Sequence, residues 1–225
     1  MRSLGELLAA CQAHAQEGGA VQPSAVMVDD RERQERWAHR LRQARIPTRY
    51  LGCRIEDLTQ TDGNRLALEV ARAFLCEEQR RKRGLVFTGP TGVGKTHLAA
   101  ALAQAHIGMG WTVRYWIVRD LFRDLKRLYD GAHTVRDEEV LLRGLAEADL
   151  LVLDDLGAER GTEWERSVLL DVIDRCWNER TTLLVTTNLT PEKLDATLDA
   201  RVVSRLIGLC RILRLDGQDF RVTRK

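Results

Sequence analysis

Eight consecutive residues constrain this chain more than any others: Gly89-Pro90-Thr91-Gly92-Val93-Gly94-Lys95-Thr96, set between an apolar run and a helical stretch. They match the P-loop pattern in full, with the strand before and the helix after that the motif requires. The glycines let successive backbone N–H groups turn inward on a phosphate. The helix beginning at Lys95 adds about half a positive charge at its N-terminus. Lys95 can reach the β- and γ-phosphates of a nucleotide, and the Thr96 hydroxyl can ligate magnesium. A glycine turn that matches by chance is the alternative; the four fixed residues and the flanking elements together argue against it. The tract from Gly89 through His97 is therefore read as the binding segment for ATP or ADP with Mg2+.

A second apolar run, Leu150-Leu151-Val152-Leu153, ends in Asp154-Asp155. In open α/β sheets ligands sit at the carboxyl ends of strands. Asp154 is the expected metal partner, acting through the ion's water shell, and Asp155 the group that polarises the attacking water. An aspartate is one methylene shorter than glutamate, so its reach to that water is less. Either residue could instead cap the loop after the strand. The next apolar run ends in Thr186-Thr187-Asn188. A neutral amide there can orient water against the γ-phosphate without adding negative charge, or Asn188 is a turn residue. The company of the other two elements favours the former.

Around these motifs, short apolar runs alternate with helical patterns: Leu85–Phe87, Val113–Ile117, Leu150–Leu153 and Leu183–Thr186. That rhythm predicts a mostly parallel sheet covered by helices on both faces. Arg211–Leu215 alternates and is expected as a last edge strand. Before the first run, Leu66, Val70 and Phe74 mark a helix leading to the basic tract Arg80–Arg83.

The N-terminal part is thinner. Leu4, Leu7, Leu8 and Cys11 form one stripe behind a capping box at Ser3–Glu6, and a charged helix after Asp29-Asp30 carries only Trp37 and Leu41. Residues 1–45 thus read as a helical appendage and 46–225 as the main domain, which 225 residues are enough to build. No apolar run approaches the roughly 20 residues of a membrane span, and no leader pattern follows Met1-Arg2. The five cysteines, Cys11, Cys53, Cys76, Cys176 and Cys210, lie too far apart for a zinc or disulfide framework and fit a cytoplasmic setting. A net charge of +2 leaves any nucleic-acid surface to local clusters of Lys and Arg.

Gly89–Ala99, Ala148–Arg160, Thr186–Leu189 and Arg201–Leu206, in that order, resemble the bacterial helicase-loader ATPases of the DnaC and DnaI type, relatives of the ATPase that assists one class of insertion-sequence transposase. The resemblance runs from about Arg45 onward. It implies an AAA+ fold with a five-stranded sheet, no C-terminal helical lid, and nucleotide-dependent assembly of the chain with itself. It makes Asn188 the first sensor, Arg205 an arginine finger and Arg201 a second residue acting across the subunit boundary. The alternative for both arginines is a solvated helix face. Any second-sensor role for Arg221 stays open. Tyr50 or Ile55 contacts the adenine, or both belong to ordinary packing. The segment from about Arg119 to Leu145 corresponds to the insertion that contacts single-stranded DNA, with Leu121, Leu125 and Leu128 inward. Arg123, Lys126 and Arg127 form its outer face with Tyr129 as a stacking group; that face is a phosphate track or a solvated surface. The function so implied is ATP-dependent placement of a replicative DNA helicase on single-stranded DNA. A transposition ATPase that prefers duplex DNA is the neighbouring alternative. A small-molecule kinase would need an arginine-rich lid that the sequence does not offer.

Overall fold

The computed structural model describes residues 30–75, 84–130, 135–157 and 161–220. The N-terminal stripe, Cys76, Arg80–Arg83, the Tyr129 side chain, Ala158–Arg160 and Arg221 lie outside them. The chain divides into two units, Met1–Arg36 and Trp37–Lys225. Only the opening of helix α1 (Asp30–Ala44) is described in the first; every other described element lies in the second.

Helix α1 stops where Arg45 takes a left-handed φ of 62°, just ahead of Ile46-Pro47. Leu41 and Ala44 pack on the core, whereas Trp37 is 44% exposed, so the apolar face is narrower than expected. In α2 (Arg65–Phe74) the inward residues are Ala67, Leu68, Val70, Ala71 and Phe74. Leu66 points outward, because the wider stripe is centred one position later than the spacing suggested.

Five strands come next, β1 (Gly84–Thr88), β2 (Val113–Ile117), β3 (Leu150–Leu156), β4 (Thr182–Thr187) and β5 (Cys210–Arg214), in the order β2-β3-β4-β1-β5. Every pairing is parallel. Period-two alternation then divides the core. Leu85, Phe87, Val113, Leu150, Val152 and Leu184 face α2 and α3 (Lys95–Gly108). Val86, Trp116, Leu151, Leu153 and Val185 face the other layer. That layer contains α4 (Val118–Asp130), α5 (Val135–Ala146), α6 (Glu163–Glu179), α7 (Pro191–Thr197) and α8 (Ala200–Leu209). Thr162 caps α6 and Asp199 caps α8, each accepting from a backbone N–H of the first turn.

Ile173 of α6 is fully buried in that second layer. Ile173→Ala should cost about 2–5 kcal/mol and lower the melting temperature by on the order of 10 °C. Thermal denaturation would check this; an unchanged melting point would mean that α6 is not part of the core.

Candidate active site

The sheet order sets the site. β1 leads to the phosphate loop, and β4 beside it, with β3 one strand further, bring their carboxyl ends to the same edge of the sheet. Gly89, Gly92 and Gly94 have φ of 145°, 86° and 96°. At Gly89 a Cβ would meet the Leu215 carbonyl oxygen at 1.9 Å, so only glycine fits the passage of the chain beyond β5. That segment runs on past the loop: Leu215 N–H donates to Thr88 O at 2.8 Å, and Phe220 N–H to Gly92 O at 3.1 Å. A Cβ at Gly92 would lie 2.0 Å from Asp219 Oδ1, which packs a carboxylate against the loop. Gly94, the N-cap of α3, brings no side chain of its own to cap the helix.

Lys95 is buried at the head of α3. Its ammonium donates to Gly89 O at 2.8 Å, Pro90 O at 2.6 Å and Asn188 Oδ1 at 2.8 Å. The Asn188 amide donates in turn to Asp155 Oδ1 at 2.9 Å. Asn188 thus links the loop lysine to the second carboxylate. Asp155 has φ of 61°, unusual for a residue with a side chain, and sits at the register break between Leu153 and Leu156. Such a conformation costs on the order of 1–3 kcal/mol and is held by its surroundings. Here the Asp155 N–H donates to Thr186 Oγ1 at 2.9 Å. Thr186 Oγ1 donates to Asp154 Oδ1 at 2.5 Å, and Thr96 Oγ1 to the same oxygen at 3.0 Å.

Thr96 and Asp154 therefore present two hard oxygens side by side. Magnesium takes few protein ligands and completes its shell with phosphate and water oxygens. Among the described residues no larger metal-ligating cluster occurs. The Tyr115 phenol is buried next to this pair. It lies against Asp154 without a hydrogen bond of ordinary geometry, and burial followed by the charge of Asp154 pushes its titration up. Thr96 and Asp154 would hold the ion, which when bound would screen phosphate charge.

The cleft over these groups measures about 1150 Å³ and is lined by Thr91, Gly92, Gly94, Lys95, Thr96, His97, Asp154, Asp155, Thr186 and Asn188, with Tyr50 at one side. Of the two residues weighed for the base, Ile55 is buried in the core and Tyr50 lines the cleft. Val93 turns its side chain into the core. Gly89 and Pro90 supply carbonyls to Lys95 and do not line the cleft. His97 lines it while its Nε2 lies 2.8 Å from Arg54 O. Thr186, Tyr115 and the segment Leu215–Phe220 were not singled out as site residues by the motifs. A threonine at the end of a β run and a tyrosine within one look like ordinary strand residues until the register is known.

Arg201 and Arg205 lie outside the cleft lining. Arg205 pairs with Asp174 at 2.9 Å. Arg201 pairs with Asp199 and holds that carboxyl below the usual range. Arg123, Lys126 and Arg127 are exposed on α4, above buried Leu121 and Leu125. Each has an acidic partner: Asp120 at 3.0 Å, Glu165 at 3.2 Å and Asp124 at 3.7 Å respectively.

Compared with known proteins, residues 22–225 match the family described as IstB-like ATP binding protein. The uncharacterized protein YdaV of Escherichia coli K12 is 35% identical over 147 residues, which is 65% of this chain but only 58% of that protein. The replicative helicase loader DnaC of the same strain is 28% identical over 225 residues, 98% of this chain and 89% of its own length. A crystal structure of the DnaC helicase loader superimposes with a TM-score of 0.67 at 28% identity, covering 75% of this chain and 99% of that one.

Proposed function

This chain belongs to the family of IstB-like ATP binding proteins, with the α/β AAA+ fold of the DnaC type, and on that footing we propose that it is a Mg2+-dependent ATPase that helps place a replicative DNA helicase on single-stranded DNA. The observation that carries the ATPase part is the bonded network Lys95–Asn188–Asp155, with Asp154 and Thr96 beside it. Lys95 and the loop N–H groups grip the phosphates; Thr96 and Asp154 hold the ion. Asp155, turned out of the strand, takes the attacking water, and Asn188 keeps that carboxylate and the lysine in register. Arg205 reaches the γ-phosphate of a neighbouring copy, since it does not line its own cleft. Related proteins named as helicase loaders support this reading over the transposition ATPase. The 1–45 segment serves as the helicase-binding appendage and 46–225 as the ATPase domain. Co-purification with the replicative helicase of the source organism tests the partner.

Single-stranded DNA binding tests the face on α4. A single strand gives a slope of about 0.7 in log affinity against log salt for each phosphate neutralised. Replacing Arg123, Lys126 and Arg127 together by alanine should therefore reduce the slope by up to about 2. The acidic partner of each residue holds the expected value below that ceiling. An unchanged slope would reduce this face to a solvated surface, and a preference for duplex would favour the transposition reading.

A further inference from the structure

Tyr115 is 1% exposed, and its phenolic oxygen is buried without a hydrogen-bond partner. Packing does not call for that oxygen. The ring belongs to an apolar cluster with Val113, Leu150 and Val152, where a phenylalanine would fill the same space. A buried hydroxyl that donates to nothing destabilises the state that contains it, so its presence needs a reason. The sheet supplies one. Tyr115 pairs with Val152, and Ile117 with Asp154, so Tyr115 and Asp154 stand two positions apart on adjacent strands, on the face that α3 covers. With about 4.8 Å between strands and 3.3 Å per residue, the two backbones are about 8 Å apart, a span a tyrosine side chain can close. The hydroxyl accordingly ends beside the Asp154 carboxylate. That carboxylate is held from one side. Among the described residues its donors are Thr96 at 3.0 Å and Thr186 at 2.5 Å, and both serve Oδ1. A carboxylate can accept on both oxygens.

We propose that Tyr115 positions Asp154 for the ion: when the carboxylate turns to carry hydrated Mg2+, its second oxygen comes onto the Tyr115 hydroxyl, which holds it there. The inference rests on the reading of Thr96 and Asp154 as the holders of the ion. The same oxygen then has opposite effects on the two states of the site. Without the ion it is a buried donor with nothing to give to. With the ion it donates to a charged acceptor, a stronger bond than one between neutral groups. Tyr115 does not line the cleft, so it acts through Asp154 and touches neither nucleotide nor metal.

Tyr115→Phe keeps the ring and removes the oxygen, which separates these effects. Thermal denaturation without ligand should give a melting temperature equal to or above that of wild type. Calorimetry with a non-hydrolysable ATP analogue should give wild-type affinity in EDTA and about tenfold weaker affinity in saturating Mg2+, the effect of one hydrogen bond. A residue that served packing alone would do the reverse, lowering the melting temperature and leaving the gain from Mg2+ intact. If wild type gains affinity from Mg2+ and Tyr115→Phe gains as much, this inference is wrong and the reading of the ion site stands. A loss of the same size in EDTA and in Mg2+ would also overturn it. If wild type gains nothing from Mg2+, the reading of Thr96 and Asp154 fails, and this inference with it.

Discussion

Arg205→Ala protein should bind ATP with wild-type affinity and hydrolyse it about 10³ to 10⁵ times more slowly. An arginine finger neutralises charge that develops on the transferred phosphoryl group, a contribution of roughly 4 to 7 kcal/mol to the barrier. On the proposed shared-site reading its loss should leave the ground state alone, because Lys95, Thr96 and the loop amides would then belong to the other copy's pocket. Asp155→Asn should be equally slow for a different reason, since the amide keeps the shape of the side chain but cannot take a proton from water. Each dead protein retains what the other lacks. Mixed in equal amounts at concentrations that allow assembly, they should recover activity at the interfaces pairing an intact pocket with an intact arginine, about a quarter under random assembly. Phosphate release against mixing ratio reads this directly. A mixture as silent as its parents would place Arg205 outside the shared site.

Lys95→Ala should lose ATP binding by about 10² to 10⁴, the equivalent of two charge-assisted hydrogen bonds at about 1.5–3 kcal/mol each. The measurement is best made as a thermal shift. Ligand at a hundred times its dissociation constant stabilises a protein by about 2.7 kcal/mol, which gives wild type a clear rise in melting temperature. The variant should show none at the same ATP concentration. Without nucleotide its melting point should fall only modestly, because what it loses are polar contacts, among them those to Gly89, Pro90 and Asn188, and not apolar core packing. A normal ATP-induced rise would remove Lys95 from the phosphate site.

The parts of this site that phosphate chemistry dictates were readable along the chain. A P-loop has little latitude in residue type or spacing, and two aspartates closing a four-residue apolar run stand where an ion beside those phosphates needs a carboxylate. A mostly parallel sheet followed from the alternation of runs and helices, and the count of five strands from the family resemblance together with the alternating last run. What could not be read were relations across the sheet. Thr186 became a partner of Asp154 and of the Asp155 backbone only through the β3–β4 register. The left-handed turn at Asp155 has no signature in an Asp-Asp pair. Lys126 read as one residue of an outer basic face, and only the fold shows α6 bringing Glu165 to it from 39 residues away. Leu66 fitted a helical spacing as well as its neighbours did, and packing chose the face one position later.

The strand order has a consequence for how the protein is born. β1 carries the phosphate loop, yet its two hydrogen-bonded neighbours are β4 and β5, whose pairings join Leu85 to Leu184 and to Arg211. A nascent chain that has emerged only as far as Asp155 holds nearly every letter of the nucleotide signature and neither of those neighbours. Contacts this distant in sequence form late, since the loop closure they require must come first. The strand that carries the phosphate loop therefore gains both of its flanking partners only once the last strand has been made.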